Sequence, residues 1–217
     1  ANVGTAELPS GVALPAGKAI ERTGDVWVRA LVGNLTLSAA ADVGASKLGL
    51  DAAGSVVQTG GVITAGTLGA RAGGSVLLGS TNAVGTFTAN AGGDVLFREA
   101  DGYGIGSLGD SALNVAGGAA NGTAVYRGTT GIVAGGTETI ELNTVAGAVT
   151  QTADLTAQNL VLRGAAAYEL TRSGNSVSKL AADSGAGTVH YVNAGALELA
   201  NVGTAELPSG VALPAGK

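Results

Sequence analysis

KLGLDAAGSV at residues 47–56, TLGARAGGSV at 67–76 and TFTANAGGDV at 86–95 are three versions of one pattern. Each places a large apolar residue second (Leu48, Leu68, Phe87), a corner of small residues in the middle and a valine tenth (Val56, Val76, Val95). The first column steps by 20 and then 19 residues, the second does the same, and the offset between them stays at eight. Leu108 follows Phe87 after 21 residues and extends the first column. The corners carry Gly54, Gly73-Gly74 and Gly92-Gly93. Glycine suits such corners because it accepts positive φ and lets stacked backbones approach closely.

Further along, Leu160, Leu180 and Leu199 are spaced 20 and 19 apart, and the step from Leu160 to Tyr168 is again eight. Between Leu108 and Leu160 the register blurs, which places turn insertions around Gly117-Gly118 and Gly135-Gly136. Within the short segments apolar residues alternate, as in Val26/Val28, Leu35/Leu37, Val95/Phe97, Ile140/Leu142, Leu160/Leu162, Val189/Tyr191 and Leu197/Leu199. Period two is the signature of strands with one face turned inward, and no stretch sustains a helical period over three turns. The chain is therefore expected to be all-β.

Short strands, a repeat near 20 residues, glycine corners and small aliphatic fillers together predict a parallel β-helix, a β-solenoid in which each coil stacks on the last. The lumen columns are then Leu48, Leu68, Phe87 and Leu108, with Val56, Val76 and Val95, continued by Leu160, Leu180 and Leu199. Burying one Val or Leu stabilises by roughly 1.5 to 3 kcal/mol, so several per coil offset the cost of ordering many glycines.

Composition agrees with a scaffold. Of 217 residues 46% are hydrophobic but only 3% aromatic, and 38 are glycine, so the core is built from small aliphatic side chains. Eleven basic against sixteen acidic residues give a net charge of −5, which offers no electrostatic footprint for nucleic acid or an anionic membrane. No apolar run approaches the length of a membrane-spanning helix. The absence of cysteine removes disulfides, thiolate metal sites and cysteine nucleophiles, and suits a chain exported unfolded into an oxidising space.

Residues 1–18, ANVGTAELPSGVALPAGK, recur unchanged at 200–217, a period of 199. The natural reading is one complete tandem unit, 1–199, followed by the start of the next at 200–217, in a window cut from a longer protein. All four prolines (Pro9, Pro15, Pro208, Pro214) lie in the repeated segment. The proline-free remainder suits a continuous ladder, since proline cannot donate to one. At about 20 residues and about 4.8 Å per coil, a unit makes roughly ten coils and a rod of about 48 Å.

Several stretches also resemble a known family. TVAGAVTQT (144–152), LVLRG (160–164), YELTRSGNSV (168–177) followed by KLAA (179–182), and GTVHYVNAGALEL (187–199) are similar to the shaft repeats of filamentous haemagglutinin-like exoproteins. The likeness is clear over residues 140–200 and compositional elsewhere. It implies a right-handed β-helix in a very large protein of the bacterial surface, exported through an outer-membrane partner by two-partner secretion.

Chemical motifs are sparse. Gly104-Ile105-Gly106-Ser107-Leu108-Gly109 matches GxGxxG, but no helix follows to offer its N-terminus to a pyrophosphate. His190, the single histidine, is expected to be exposed on a strand. Asp94, Glu99 and Asp101 near one turn, and Glu138 and Glu141 around Ile140, are expected to be solvated, because a glycosidase cleft needs aromatics that this chain lacks. Gly92-Gly93-Asp94 lacks the recurrent spacing of calcium-binding nonapeptides, and Thr86/Thr88 and Thr137/Thr139 are too few for an ice-binding ladder. Asn34 and Asn121 head glycosylation sequons.

The expectation is a structural shaft of a secreted or surface-exposed, adhesin-like bacterial fibre, with no catalytic site, cofactor or metal. Its partners are neighbouring units of the same chain and, as an alternative, other rods in an extracellular filament or matrix. A carbohydrate-active β-helix enzyme is the third possibility.

Overall fold

A computed structural model describes residues 18–111 and 125–211. It is all-β, with 56% strand and no α-helix, wound into a β-solenoid of about 8 turns roughly 20 residues apart. The strands fall on three faces. The first begins with Val26–Ala30 and Lys47–Ala52, the second with Leu35–Leu37 and Val56–Gln58, and the third with Lys18–Glu21 and Ala40–Asp42. Successive coils pair in parallel on every face, so backbone donors and acceptors are satisfied along the axis.

Inward side chains form continuous columns. On the first face Val26, Leu48, Leu68, Phe87 and Ile105 stand in register. Beside them runs an alanine column, Ala30, Ala52, Ala72, Ala91 and Ala134. On the second face eight residues stack, Leu35, Val56, Val76, Val95, Ile140, Leu160, Leu180 and Leu199. Leu48, Leu68, Phe87, Val56, Val76, Val95 and Leu160 are fully enclosed, Leu180 is nearly so, and all belong to one contiguous core. Phe87 and Phe97 reach across the lumen from adjacent faces and stack at 3.9 Å, with Tyr103 edge-on to Phe97 at 5.1 Å.

Several sequence expectations are corrected. Leu108 is not a lumen residue. The chain leaves the coil at Gly106 and rejoins it at Gly131, whose N–H donates to the Gly106 carbonyl at 2.8 Å. Ile105, before this neck, takes the place above Phe87. Leu108 pairs antiparallel with Thr129 and lies outside, over Gly69. Leu160, Leu180 and Leu199 continue the valine column through Ile140, so beyond the excursion the 20-residue spacing follows the second face.

The described residues make about 8 coils; within the 199-residue unit the Gly106–Gly131 excursion lies outside the winding, and residues 1–17 lie outside the described residues. Strands also run longer than the sequence suggests: Val76–Ala91 spans 16 residues and turns a corner, where its ladder shifts register between Leu78 and Asn82. Finally, the corner glycines Gly54, Gly73, Gly74, Gly92 and Gly93 all have negative φ; close approach alone requires them. A Cβ on Gly73 would lie 2.2 Å from the Ala53 carbonyl oxygen, and one on Gly92 2.2 Å from that of Gly73. Asn121, Gly117-Gly118 and residues 1–17 lie outside the described residues.

Candidate functional site

The lumen columns are framed by a polar ladder at the corner preceding the second face. Asn34 Oδ1 accepts the Ser55 N–H at 2.8 Å, Ser55 Oγ that of Ser75 at 3.1 Å, Ser75 Oγ that of Asp94 at 3.2 Å, and Asp94 Oδ1 that of Thr139 at 2.9 Å. Each short side chain thus caps the coil above it, where no strand partner serves the amide. Asn34, head of a sequon, is exposed at the foot of this ladder.

A second corner is plugged by buried amides. Asn82 Oδ1 accepts from the Ile63 N–H at 2.9 Å and from Gln58 Nε2 at 2.8 Å. Asn175 repeats the arrangement with the Leu155 N–H at 3.0 Å and Gln151 Nε2 at 2.9 Å. Both asparagines are fully enclosed and satisfied, as a buried amide requires.

Glu99, one coil above Asn82, is the exception. Its Oε1 accepts the Val84 and Ala100 N–H groups, each at 3.1 Å, but Oε2 is buried without a hydrogen-bond partner, as are the Tyr103 hydroxyl and Thr144 Oγ1. Burial, aided by the nearby Asp101 charge, pushes the Glu99 carboxyl up to about 7. Glu141 is also fully enclosed, but it is held by Arg163 in an ion pair of 2.7 Å. The solvated reading of these two carboxylates is therefore overturned. Asp101 is exposed, while Glu138 sits beside Asp94, where partial burial and the neighbouring charge raise its pKa.

Glu99 points into the lumen and Glu141 away from it on the two sides of the second face, so they do not form a facing acid pair. His190 is exposed and contacts Glu169 at 2.8 Å, one coil away. Gly104 and Gly106 belong to a strand and the excursion neck, and among the described residues up to Ser111 no helix follows them. Among the described residues no group of three or more His, Asp or Glu side chains comes together to hold a metal ion.

The outer faces carry two features the sequence reading missed. On the first face Trp27, Gly49, Gly69 and Thr88 align outward. The two glycines leave a notch into which the excursion lays Tyr126, whose ring stacks on Trp27 at 5.6 Å. Arg127 clamps Asp51 through two hydrogen bonds of 3.0 and 3.1 Å, and Tyr126 contacts Thr129 Oγ1 at 2.5 Å.

On the second face residues 200–211 fold back along the outside of the coils. Val202 and Leu207 bury against Val161 and Ala181, which are themselves in register. Ser209 donates its N–H and hydroxyl to the Glu141 carboxylate at 3.0 and 2.8 Å, and Arg163 donates to the Val211 carbonyl. A signal existed: Val161 and Ala181 are apolar at outward positions of strands that already present Leu160 and Leu180 inward. Consecutive apolar residues mark a strand covered on both sides.

Searches of family models, curated proteins and solved structures find nothing that matches this chain. The geometry is a β-solenoid compatible with a β-helical repeat protein, with packed interior columns and covered outer grooves.

Proposed function

We propose that the chain is part of a rigid structural shaft in a large secreted or surface-exposed bacterial fibre, of the filamentous haemagglutinin-like kind. One observation carries this reading: the solenoid is apolar and open at both ends of its described coils. At one end Leu180, Val189, Tyr191, Leu197 and Leu199 line a hollow of 760 Å³, and Leu199 is 78% exposed. At the other, Ile20, Val28, Leu35 and Leu37 line one of 260 Å³. A further coil on either end would pair the free strand edges and bury these side chains, which an isolated globule has no reason to leave bare. The sequence shared by 1–18 and 200–217 is the tandem repetition that such a rod would carry, although residues 200–211 themselves lie on the outer groove and do not cover Leu199.

The same apolar ends support a second reading, in which separate rods stack into an extracellular filament. Export through an outer-membrane partner follows from the family resemblance alone.

Small-angle scattering on chains of one, two and three 199-residue units tests the shaft. Each added unit of about eight coils should lengthen the particle by roughly 40 Å at constant cross-section. Growth in cross-section instead of length would reject it. Fibres in native material extending far beyond one polypeptide would favour the filament.

A further inference from the structure

The cover on the second face has an identical twin in the same chain. Val202, Leu207, Ser209 and Val211, which make the contacts to the groove, correspond to Val3, Leu8, Ser10 and Val12 across the 199-residue repeat. We infer that the outer groove formed by Glu141, Val161, Arg163 and Ala181 is a receptor for the segment ANVGTAELPSGV, and that residues 1–12 of a second copy of this chain are its intermolecular occupant.

The groove is built to recognise rather than merely to be covered. Its apolar part takes two anchors, Val202 and Leu207, which are 1% and 5% exposed. Its polar part holds a carboxylate whose two oxygens receive one serine, with Arg163 reaching both that carboxylate and the Val211 carbonyl. Without an occupant Glu141 would lose both serine bonds and Val161 would be uncovered, so the empty groove is poorly satisfied and should take up the same sequence from elsewhere.

The segment also pre-forms its shape. The Gly203 N–H donates to Glu206 Oε2 at 2.9 Å, the Leu207 N–H to the Thr204 carbonyl at 3.2 Å, and the Val211 N–H to Ser209 Oγ at 3.2 Å. Internal order of this kind lowers the entropy lost on docking.

In the intact chain the tethered segment has an effective concentration on the order of millimolar, so it excludes the twin on another molecule. Exchange becomes visible when the tethered copy is weakened. Rods would then be joined side to side through the segment that starts a unit. This is independent of the shaft reading, since a rod that exchanges no segments is still a rod.

The test uses the full chain. Val202→Asp with Leu207→Asp ejects the tethered copy beside Glu141 while leaving the groove and residues 1–12 intact; a second variant adds Val3→Asp and Leu8→Asp. Both share the same open coil ends, so end-to-end stacking cancels. Sedimentation over a concentration series should show the first variant associating at a concentration at least tenfold lower than the second. Identical association of the two would overturn the proposal. Should the double variant lose its β-sheet circular dichroism, Ser209→Ala carries the same question: a fluorescent ANVGTAELPSGV peptide should bind it at least fivefold more tightly than the parent, and equal binding would overturn the proposal.

Discussion

The rings of Phe87 and Phe97 lie 3.9 Å apart at 11° to one another, joining the inward sides of two different faces within the lumen. They fill the interior where neighbouring positions are mostly Val, Leu and Ala. Phe97→Ala should cost about 3 to 5 kcal/mol, because the columns above and below hold the coils apart and prevent collapse into the void. Chemical denaturation reads this as a lowered midpoint with an unchanged slope.

Position along the axis, not residue type, should decide the cost of a lumen charge. Leu68 is fully enclosed, whereas Leu199 is 78% exposed on the terminal coil. Leu68→Asp buries an unpaired carboxylate and should destabilise by more than about 4 kcal/mol. Leu199→Asp should change the isolated chain by less than about 1 kcal/mol. Equal thermal midpoints for the two variants would contradict the inward column.

Glu99 predicts a pH dependence. Its carboxyl titrates near 4.5 when unfolded and is raised to about 7 when folded, so the unfolded chain ionises first. Stability is complete below about pH 4.5 and falls as pH rises to about 7, by on the order of 3 kcal/mol. Glu99→Gln keeps an oxygen for the Val84 and Ala100 N–H groups and removes the charge. It should therefore raise stability at pH 8 and leave it nearly unchanged at pH 4. Urea titrations at the two pH values check the sign.

The corner glycines predict a contrast. Gly73→Ala would place a methyl 2.2 Å from the Ala53 carbonyl oxygen and force adjacent coils apart, at a cost of at least about 1 to 3 kcal/mol. Gly195→Ala meets nothing within 4 Å and has no positive φ, so it should be neutral or stabilise by about 0.5 kcal/mol. Thermal melts of the pair separate close approach from general loss of glycine.

Tyr126 holds the excursion to the outer face by stacking on Trp27, the sole tryptophan. Tyr126→Ala should detach the arm without unwinding the coils, since the neck between Gly106 and Gly131 closes beneath it. The expected readout is a red shift of tryptophan emission with an unchanged β-sheet circular dichroism signal.

The spacing of Leu48, Leu68 and Phe87 and of Val56, Val76 and Val95 was enough to define the coil, because a ladder of parallel strands repeats its inward positions at nearly constant intervals. Local order could not say where the winding is interrupted. Ile105 and Leu108 are both apolar and near the expected interval, and only the neck at Gly106 and Gly131 decides that one enters the lumen and the other covers Gly69. The burial of Glu99 and Glu141 was likewise hidden, since each depends on groups distant in the chain: coil corners around the first, and Ser209, 68 residues away, on the second. Period and composition determined that this chain would wind into a solenoid with an aliphatic core. Tertiary structure decided which outer surfaces are covered and which carboxylates lose water, because burial depends on what another segment brings to the surface rather than on the residue itself.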